Sequence, residues 1–248
     1  ALLNYSFDNI YLFDASMRLD GSSKFGTDNK FAPFWSVGAG LNLHNYNFMK
    51  NIGFIDLLKI RGSYGQTGKV NFEAYAAKTT YVILSDQWYK TGYGATLQAL
   101  GNKKLSWETT NALDFGVETR MWNGLLYVKA SYYNKRTVDL INDVTIPSST
   151  GFTTYIDNIG EVENKGFELD FRSELIKRQN LYLAVFANLA HNKNKILKVA
   201  ESLKAYNDLV DDFFEDAHQT VEGRRDEPHT KYVEGGSMNS IWGMQSLG

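Results

Sequence analysis

The sequence predicts an all-β protein whose strands form an antiparallel, up-and-down sheet of the kind that builds a transmembrane β-barrel. Aromatic residues make up 14% of the 248 residues, and 21 glycines stand against 3 prolines, which favours strands and turns over helices. Apolar and polar residues alternate along segments of about ten residues, the length that a tilted strand needs to cross a bilayer. Short and long connections also alternate, which places all long loops at one end of the sheet, as in outer-membrane barrels.

The alternation of apolar and polar residues predicts the individual strands. Besides the short stretch 5–7, it covers residues 11–20, 35–44, 58–65, 113–121, 126–133, 167–172 and 181–189. The contrast is clearest where Phe167, Leu169 and Phe171 alternate with Glu168, Asp170 and Arg172. One apolar face and one charged face suit a wall between lipid and a polar lumen. We therefore expect the odd-numbered residues 35–43 and Leu169 to face lipid, and Asn42 and Glu168 to face the lumen.

The connections differ in length and in turn chemistry. The brief ones contain Asp8-Asn9, residues 45–56, Asn123-Gly124 and residues 177–180, and the long ones cover 20–33, 66–110, 137–157 and 193–234. Asn-Gly is a strong signal for a tight hairpin, and Phe48-Met49-Lys50 predicts a helical turn. We expect the connection 66–110 to carry a hairpin of its own. All four long connections are expected at the outer end of the sheet.

One longer helix is predicted, over residues 195–214. Its apolar residues recur at near-helical spacing, at Ile196, Val199, Leu203, Tyr206, Val210 and Phe213. An acidic run at 211–216 lies at its end, but the spacing of these carboxylates is not that of a calcium-binding EF-hand loop. A solvated helix end is the preferred interpretation, so the sequence predicts no metal site.

Composition argues against several classes of function. The net charge of −2 and the pI near 6.1 give no basic surface for nucleic acid. The chain has no cysteine, and His44, His191, His218 and His229 lack metalloprotease spacing. Glu161 and Glu163 have the separation of a glycosidase pair, yet no other polar cluster accompanies them, and a solvated turn is the preferred interpretation. We therefore expect neither an enzyme nor a cofactor.

Five motifs follow one another along the chain and carry a family resemblance. They are Arg18 to Gly26 (RLDGSSKFG), Lys30 to Ser36 (KFAPFWS), Arg61 to Gly68 (RGSYGQTG), Leu105 to Asn111 (LSWETTN), and NIGE with NKGFE between Asn158 and Glu168. Together they resemble the barrel of SusC-like TonB-dependent transporters, over nearly the whole chain. The resemblance implies a barrel of about 22 strands, of which this chain would supply eight or nine.

The resemblance also implies a function, a location and partners. These transporters import nutrients across the outer membrane of Bacteroidota-type bacteria, with force supplied by TonB through a segment not in this chain. A SusD-like surface lipoprotein is the implied lid, and oligosaccharides, or peptides for some members, are the implied cargo. Residues 1–248 are then expected to be an internal part of one barrel domain. The plug, the N-terminal extension and the C-terminal strands are expected to lie outside it.

Two hypotheses give a role to the aromatic residues Trp88, Tyr89 and Tyr93. In a transporter, these side chains of the long second loop would contact cargo or the lid. In the alternative hypothesis, a secreted, soluble β-sandwich that binds carbohydrate, they would form a stacking platform for sugars. Packing within the loop is the third interpretation of the same residues.

Overall fold

The computed structural model describes every residue except 26–28, 71, 73, 147–149, 153, 202, 205, 206, 209–228, 231 and 243–248. Its strands are, in chain order, β1 (Leu2–Phe7), β2 (Tyr11–Gly21), β3 (Phe31–Asn42), β4 (Ile55–Lys69), β5 (Thr80–Tyr89), β6 (Gly92–Ala99), β7 (Glu108–Met121), β8 (Leu126–Val138), β9 (Ile141–Thr145), β10 (Thr154–Asn158), β11 (Gly160–Arg178), β12 (Leu181–Val199), β13 (His229–Thr230) and β14 (Ile241–Trp242). A 3-10 turn (Leu43–Asn45) and a short helix, α1 (Asn47–Lys50), follow β3.

Eight of these strands form one antiparallel sheet in the order β1-β2-β3-β4-β7-β8-β11-β12. Each strand of this sheet pairs with the next one along the chain, apart from the hairpins inserted in the connections, so the topology is up-and-down. The prediction of an all-β, antiparallel fold with eight or nine wall strands is confirmed. Within the described residues, β1 and β12 do not pair with each other, so the sheet is open at both edges.

The alternative of a β-sandwich does not fit this arrangement. A sandwich needs a second sheet stacked against the first, with a shared apolar core between them. The other sheets in the described part of the chain are the two-stranded hairpins β5–β6, β9–β10 and β13–β14. The first two of these hairpins lie within long connections, so neither provides the second layer of a sandwich.

The turns at one end of the sheet are short, as predicted. Asp8 and Asn9 both have positive φ, 50° and 52°, which is the backbone of a tight hairpin turn that Asp and Asn tolerate. Trp122 and Asn123 adopt the same left-handed conformation ahead of Gly124. The predicted helical turn is α1, and a two-residue turn at 179–180 joins β11 to β12. The short connections therefore all lie at the same end.

The long connections meet at the opposite end and carry their own structure. The predicted hairpin of the second long loop is confirmed as β5–β6, whereas the hairpin β9–β10 in the third loop was not predicted. One buried apolar cluster joins Phe25, Phe72, Leu105 and Ile141, and a second joins Val144, Ile159, Ile196, Val199 and Leu203. These clusters pack loops from different parts of the chain together above the sheet.

The predicted helix over 195–214 is wrong in its first residues, because β12 continues to Val199. In the pairing with β11, Glu161 lies opposite Lys198 and Val162 opposite Ile196, so Leu197 is an extra residue in a bulge. The bulge brings Ile196 and Val199, three positions apart, into the same buried cluster, and this spacing imitates a helix. Helical backbone begins after Ala200, at Glu201, Leu203, Lys204, Asn207 and Asp208; the remaining residues up to 214 lie outside the described part.

Candidate functional site

The outward face of the sheet is a continuous apolar surface, which we call the belt. Strand register places Val117, Ala130, Leu169 and Leu189 side by side across four neighbouring strands. Further along the sheet, Ala15 and Val37 lie side by side in the same way. Large side chains in the belt are half exposed, for example Leu189 at 56%. No described helix is long and apolar enough to cross a membrane.

Aromatic residues border the belt at both ends. At the short-turn end, Tyr11, Tyr46, Phe48, Phe54 and Trp122 form the inner girdle, in which Tyr46 Oη donates to Tyr11 Oη and Phe54 stacks on Trp122 at 5.9 Å. At the long-loop end, Trp35, Tyr64, Tyr132 and Phe167 form the outer girdle. An apolar band between two aromatic girdles is the pattern of a barrel exterior in a bilayer.

The inward face is polar and contains a groove of about 330 Å³. Asp14, Lys59, Arg61, Ser63 and Asp114 line this groove together with small residues of β3 and β7. Gly38 and Gly116 leave room for the charged groups: an added Cβ would lie 2.5 Å from Asp14 Oδ1 at Gly38, and 2.8 Å from Arg61 Nε at Gly116. Acidic and basic groups therefore lie close together along the inner wall.

The sequence pattern places the glycines of β3 on the polar face, but it does not predict this groove. The groove depends on strand register, which sets Asp14 opposite Gly38 and Arg61 opposite Gly116. The available signal was the recurrence of glycine at every second position of β3, since glycine in a strand often marks a close approach of another group. The partner of each glycine follows only from the pairing of the strands.

The hairpin β5–β6 holds the predicted aromatic site. Trp88 lies opposite Tyr93, and Tyr89 opposite Gly92, at the tip of the hairpin. The three aromatic side chains are 72%, 58% and 62% exposed in the order Trp88, Tyr89, Tyr93. None of them belongs to the buried clusters of the described residues. The structure therefore brings the three residues together on a protruding, exposed surface.

Glu161 and Glu163 are engaged in ion pairs. Arg136 Nε lies 3.1 Å from Glu161 Oε2, and its Nη2 also contacts that oxygen, while Lys165 Nζ lies 3.2 Å from Glu163 Oε2. Asn134 also donates to Glu163. The two carboxylates are thus ion-paired groups of the strand surface, and the expected solvated turn is instead the beginning of β11.

The described loops contain no candidate metal site. Among the residues that the structure describes, no group of three or more His, Asp or Glu side chains could hold a metal ion. The acidic run at 211–216 lies outside the described residues.

In β10, burial and then the negative charge of Asp157 raise the pKa of the Tyr155 phenol. This shift favours the neutral form of the phenol.

Comparison with known proteins identifies the relatives of this chain. The family described as TonB dependent receptor-like, beta-barrel, matches residues 1–224. TonB-dependent receptor P26 of Formosa agariphila is 38% identical over 196 residues, which are 79% of this chain and 20% of that protein. TonB-dependent receptor SusC of Bacteroides thetaiotaomicron is 32% identical over 203 residues, again 79% of this chain and 20% of that protein.

A solved structure shows the same fold. The RagAB peptide transporter matches with a TM-score of 0.75 and 28% sequence identity, over 81% of this chain and 22% of that chain. This chain spans about a fifth of the length of its relatives, in agreement with an open sheet. It belongs to the TonB-dependent receptor-like β-barrel family, in which SusC is one of its relatives, and its open sheet corresponds to part of such a barrel.

Proposed function

We propose that the intact protein is a nutrient importer of the bacterial outer membrane, energised by TonB, and that this chain is part of its barrel wall. The proposed lid is a SusD-like surface lipoprotein at the long-loop end. Oligosaccharides are the first proposed cargo class. Similarity to a structure described as a peptide transporter supports oligopeptides as the second. The plug, the N-terminal extension and the other barrel strands are proposed to come from the rest of the protein.

The observation that carries this proposal is the contrast between the two faces of the sheet. The outward belt runs between two aromatic girdles, and the inward face presents the charged groove around Asp14 and Arg61. A soluble protein would not leave so large an apolar surface in water. A wall with lipid outside and a polar lumen inside satisfies both faces, and a polar lumen suits the passage of hydrophilic cargo.

The hairpin β5–β6 is the proposed contact for cargo or lid. Exposed aromatic side chains bind sugar rings by stacking, and Trp and Tyr are enriched among the residues that dominate protein interfaces. Trp88, Tyr89 and Tyr93 occupy the tip of a hairpin within the second long connection. A rigid wall that carries recognition residues on its loops is a common arrangement in binding proteins.

The test is uptake by cells that carry the intact transporter. Labelled oligosaccharides and labelled oligopeptides are supplied separately, with TonB present or deleted, and we expect TonB-dependent uptake of one class. Changing Trp88, Tyr89 and Tyr93 together to alanine should reduce that uptake by roughly tenfold or more. The amount of heat-modifiable barrel in the outer membrane should not change, because the hairpin lies outside the sheet.

The matched control alters three polar neighbours on the same hairpin. Ser85, Asp86 and Gln87 are exposed, and their joint change to alanine tests whether any alteration of the hairpin lowers uptake. Parental uptake by the aromatic variant would refute the assigned contact role while leaving the importer intact. Absence of any TonB-dependent uptake by the parent, of sugars or of peptides, would refute the proposed function.

A further inference from the structure

The outward face changes character directly beyond the outer girdle on β8, β11 and β12. Phe167 and His191 lie side by side at the margin of the belt, with ring centroids 5.7 Å apart. The next outward positions toward the long loops are charged or polar. Their cationic members, which we call the basic patch, are Arg136, Lys165, Lys193, Lys195 and Lys198.

Two carboxylates lie within the patch, but they are more covered than the cations. The side chains of Glu161 and Glu163 are 22% and 18% exposed, whereas those of their partners Arg136 and Lys165 are 54% and 44% exposed. The three lysines of β12 are also exposed. The surface that meets the surroundings is therefore positive, with five cationic groups against two partly covered carboxylates.

The register of β11 and β12 places Glu161 opposite Lys198 and Glu163 opposite Lys195, but at one further position it places two like charges together. Lys165 and Lys193 lie directly opposite each other in the pairing of β11 with β12. Two like charges at such a position are unfavourable unless a counter-charge lies nearby. Glu163 accepts a hydrogen bond from Lys165, while Lys193 has no partner among the described residues. On the neighbouring loop, Glu234 Oε1 lies 4.0 Å from Lys204 Nζ. An anion from outside the chain would offset this repulsion.

The patch is confined to one side of the sheet. The paired row that contains Lys193 continues to Tyr64, Val37 and Ala15, and the row that contains Lys195 continues to Gln66, Trp35 and Met17. All six of these outward positions on β2, β3 and β4 are uncharged. A general preference for charge at the water boundary would distribute lysines across all strands. The concentration of cations on β8, β11 and β12 instead indicates a localised ligand.

We propose that the basic patch binds the phosphate groups of phosphorylated glycolipid headgroups in the outer leaflet of the membrane. Lys193 is two residues beyond His191 on the same face, or about 7 Å along the strand, which is the depth at which headgroups follow acyl chains. Basic groups beside a lipid-facing surface attract anionic headgroups. This inference rests on the proposed function, because it requires the belt to lie in the outer membrane.

The test compares lipid binding by variants of the full-length transporter in detergent. Phosphorylated lipid A and its dephosphorylated form are the probes, and bound lipid is counted by native mass spectrometry. Lys193→Gln combined with Lys195→Gln should weaken binding of the phosphorylated lipid by roughly tenfold or more, since each lysine near a membrane surface contributes about fivefold. Lys193→Arg with Lys195→Arg should restore it, and added salt should weaken it in the parent.

A matched control removes two exposed lysines elsewhere, Lys50 and Lys90, and should bind both lipids as the parent does. Equal binding of the two lipids by the parent, or an unchanged preference in the Lys193/Lys195 glutamine variant, would overturn the proposal. Displacement of the lipid by equimolar inorganic phosphate would also overturn it, because the site would then be a general anion site. A parent that inserts and transports but shows no phosphate preference refutes this inference alone, whereas a parent that does not insert refutes the proposed function.

Discussion

At the scale of single residues, the side of the sheet on which a residue lies decides its chemistry. Gly166 of β11 lies on the inward face, where an added Cβ would be 2.2 Å from the carbonyl oxygen of His191 and 2.8 Å from Tyr133 Oη. Gly40 of β3 lies on the same face, yet an added Cβ there would be 3.5 Å from its nearest neighbour. Two inward glycines therefore differ in whether a side chain fits.

This difference gives a prediction for the pair of substitutions Gly166→Ala and Gly40→Ala. The first should destabilise the barrel by about 1–3 kcal/mol, because the new methyl group meets backbone that has no flexible end to move aside. The second should change stability little. The measurement is the urea midpoint of each full-length variant refolded in detergent. Equal midpoints for the two variants would show that the close approach at Gly166 does not constrain the wall.

Much at this scale could be predicted from the sequence, because a strand places successive side chains on opposite faces. The expected outward positions Val37 and Leu169 do lie in the belt. What could not be predicted were contacts between strands, such as Asp14 over Gly38 or the Arg136–Glu161 ion pair. Residues that join different strands meet only when the register is fixed, and alternation within one strand does not specify register.

At the scale of elements, the wall strands and short turns followed from local signals, whereas the loop architecture did not. Asp8-Asn9 and Asn123-Gly124 determine their own backbone conformation, so these turns were predictable. The end of β12 was not, because the bulge at Leu197 gives a strand the apolar spacing of a helix. The hairpin β9–β10 depends on contacts of Ile141 and Val144 with distant loop residues.

Those contacts predict how the long loops are held in place. Leu105 is fully buried, at 0% exposure, in the cluster that joins the first, second and third long loops. Leu105→Ala should remove about 2–5 kcal/mol of local packing, and the connection 70–107 should become more sensitive to protease. Leu97, 37% exposed in β6, supplies the control substitution Leu97→Ala. Equal digestion of the two variants, with the barrel intact in both, would contradict a loop-anchoring role for Leu105.

At the scale of the whole molecule, the open edges of the sheet require partners. Pairing along the edges β1 and β12 is incomplete within the described residues, and the sheet carries the apolar belt. Unpaired backbone N–H and C=O groups at bilayer depth cost several kcal/mol each, so an open sheet is unstable in a membrane. In the intact protein, further barrel strands are proposed to pair with both edges.

Residues 1–248 expressed alone should therefore aggregate or be degraded. Purification in detergent, followed by circular dichroism and a heat-shift gel, measures whether any folded monomer survives. The full-length transporter, treated in the same way, is the control and should show a heat-modifiable band. A monodisperse, folded monomer of the 248 residues in plain buffer would contradict the need for edge partners.

The central claim is that this sheet separates lipid from a polar lumen, and two adjacent residues of β8 test it most directly. Ala130 faces outward between Val117 and Leu169, while Ser131 faces inward between Gly116 and Glu168. In the full-length transporter, Ala130→Arg should destabilise the barrel folded in lipid vesicles by about 2–4 kcal/mol. Ser131→Arg should destabilise it much less, because it places the cation in the lumen beside a carboxylate. Equal losses for the two variants, or a larger loss at Ser131, would contradict the assignment of the two faces.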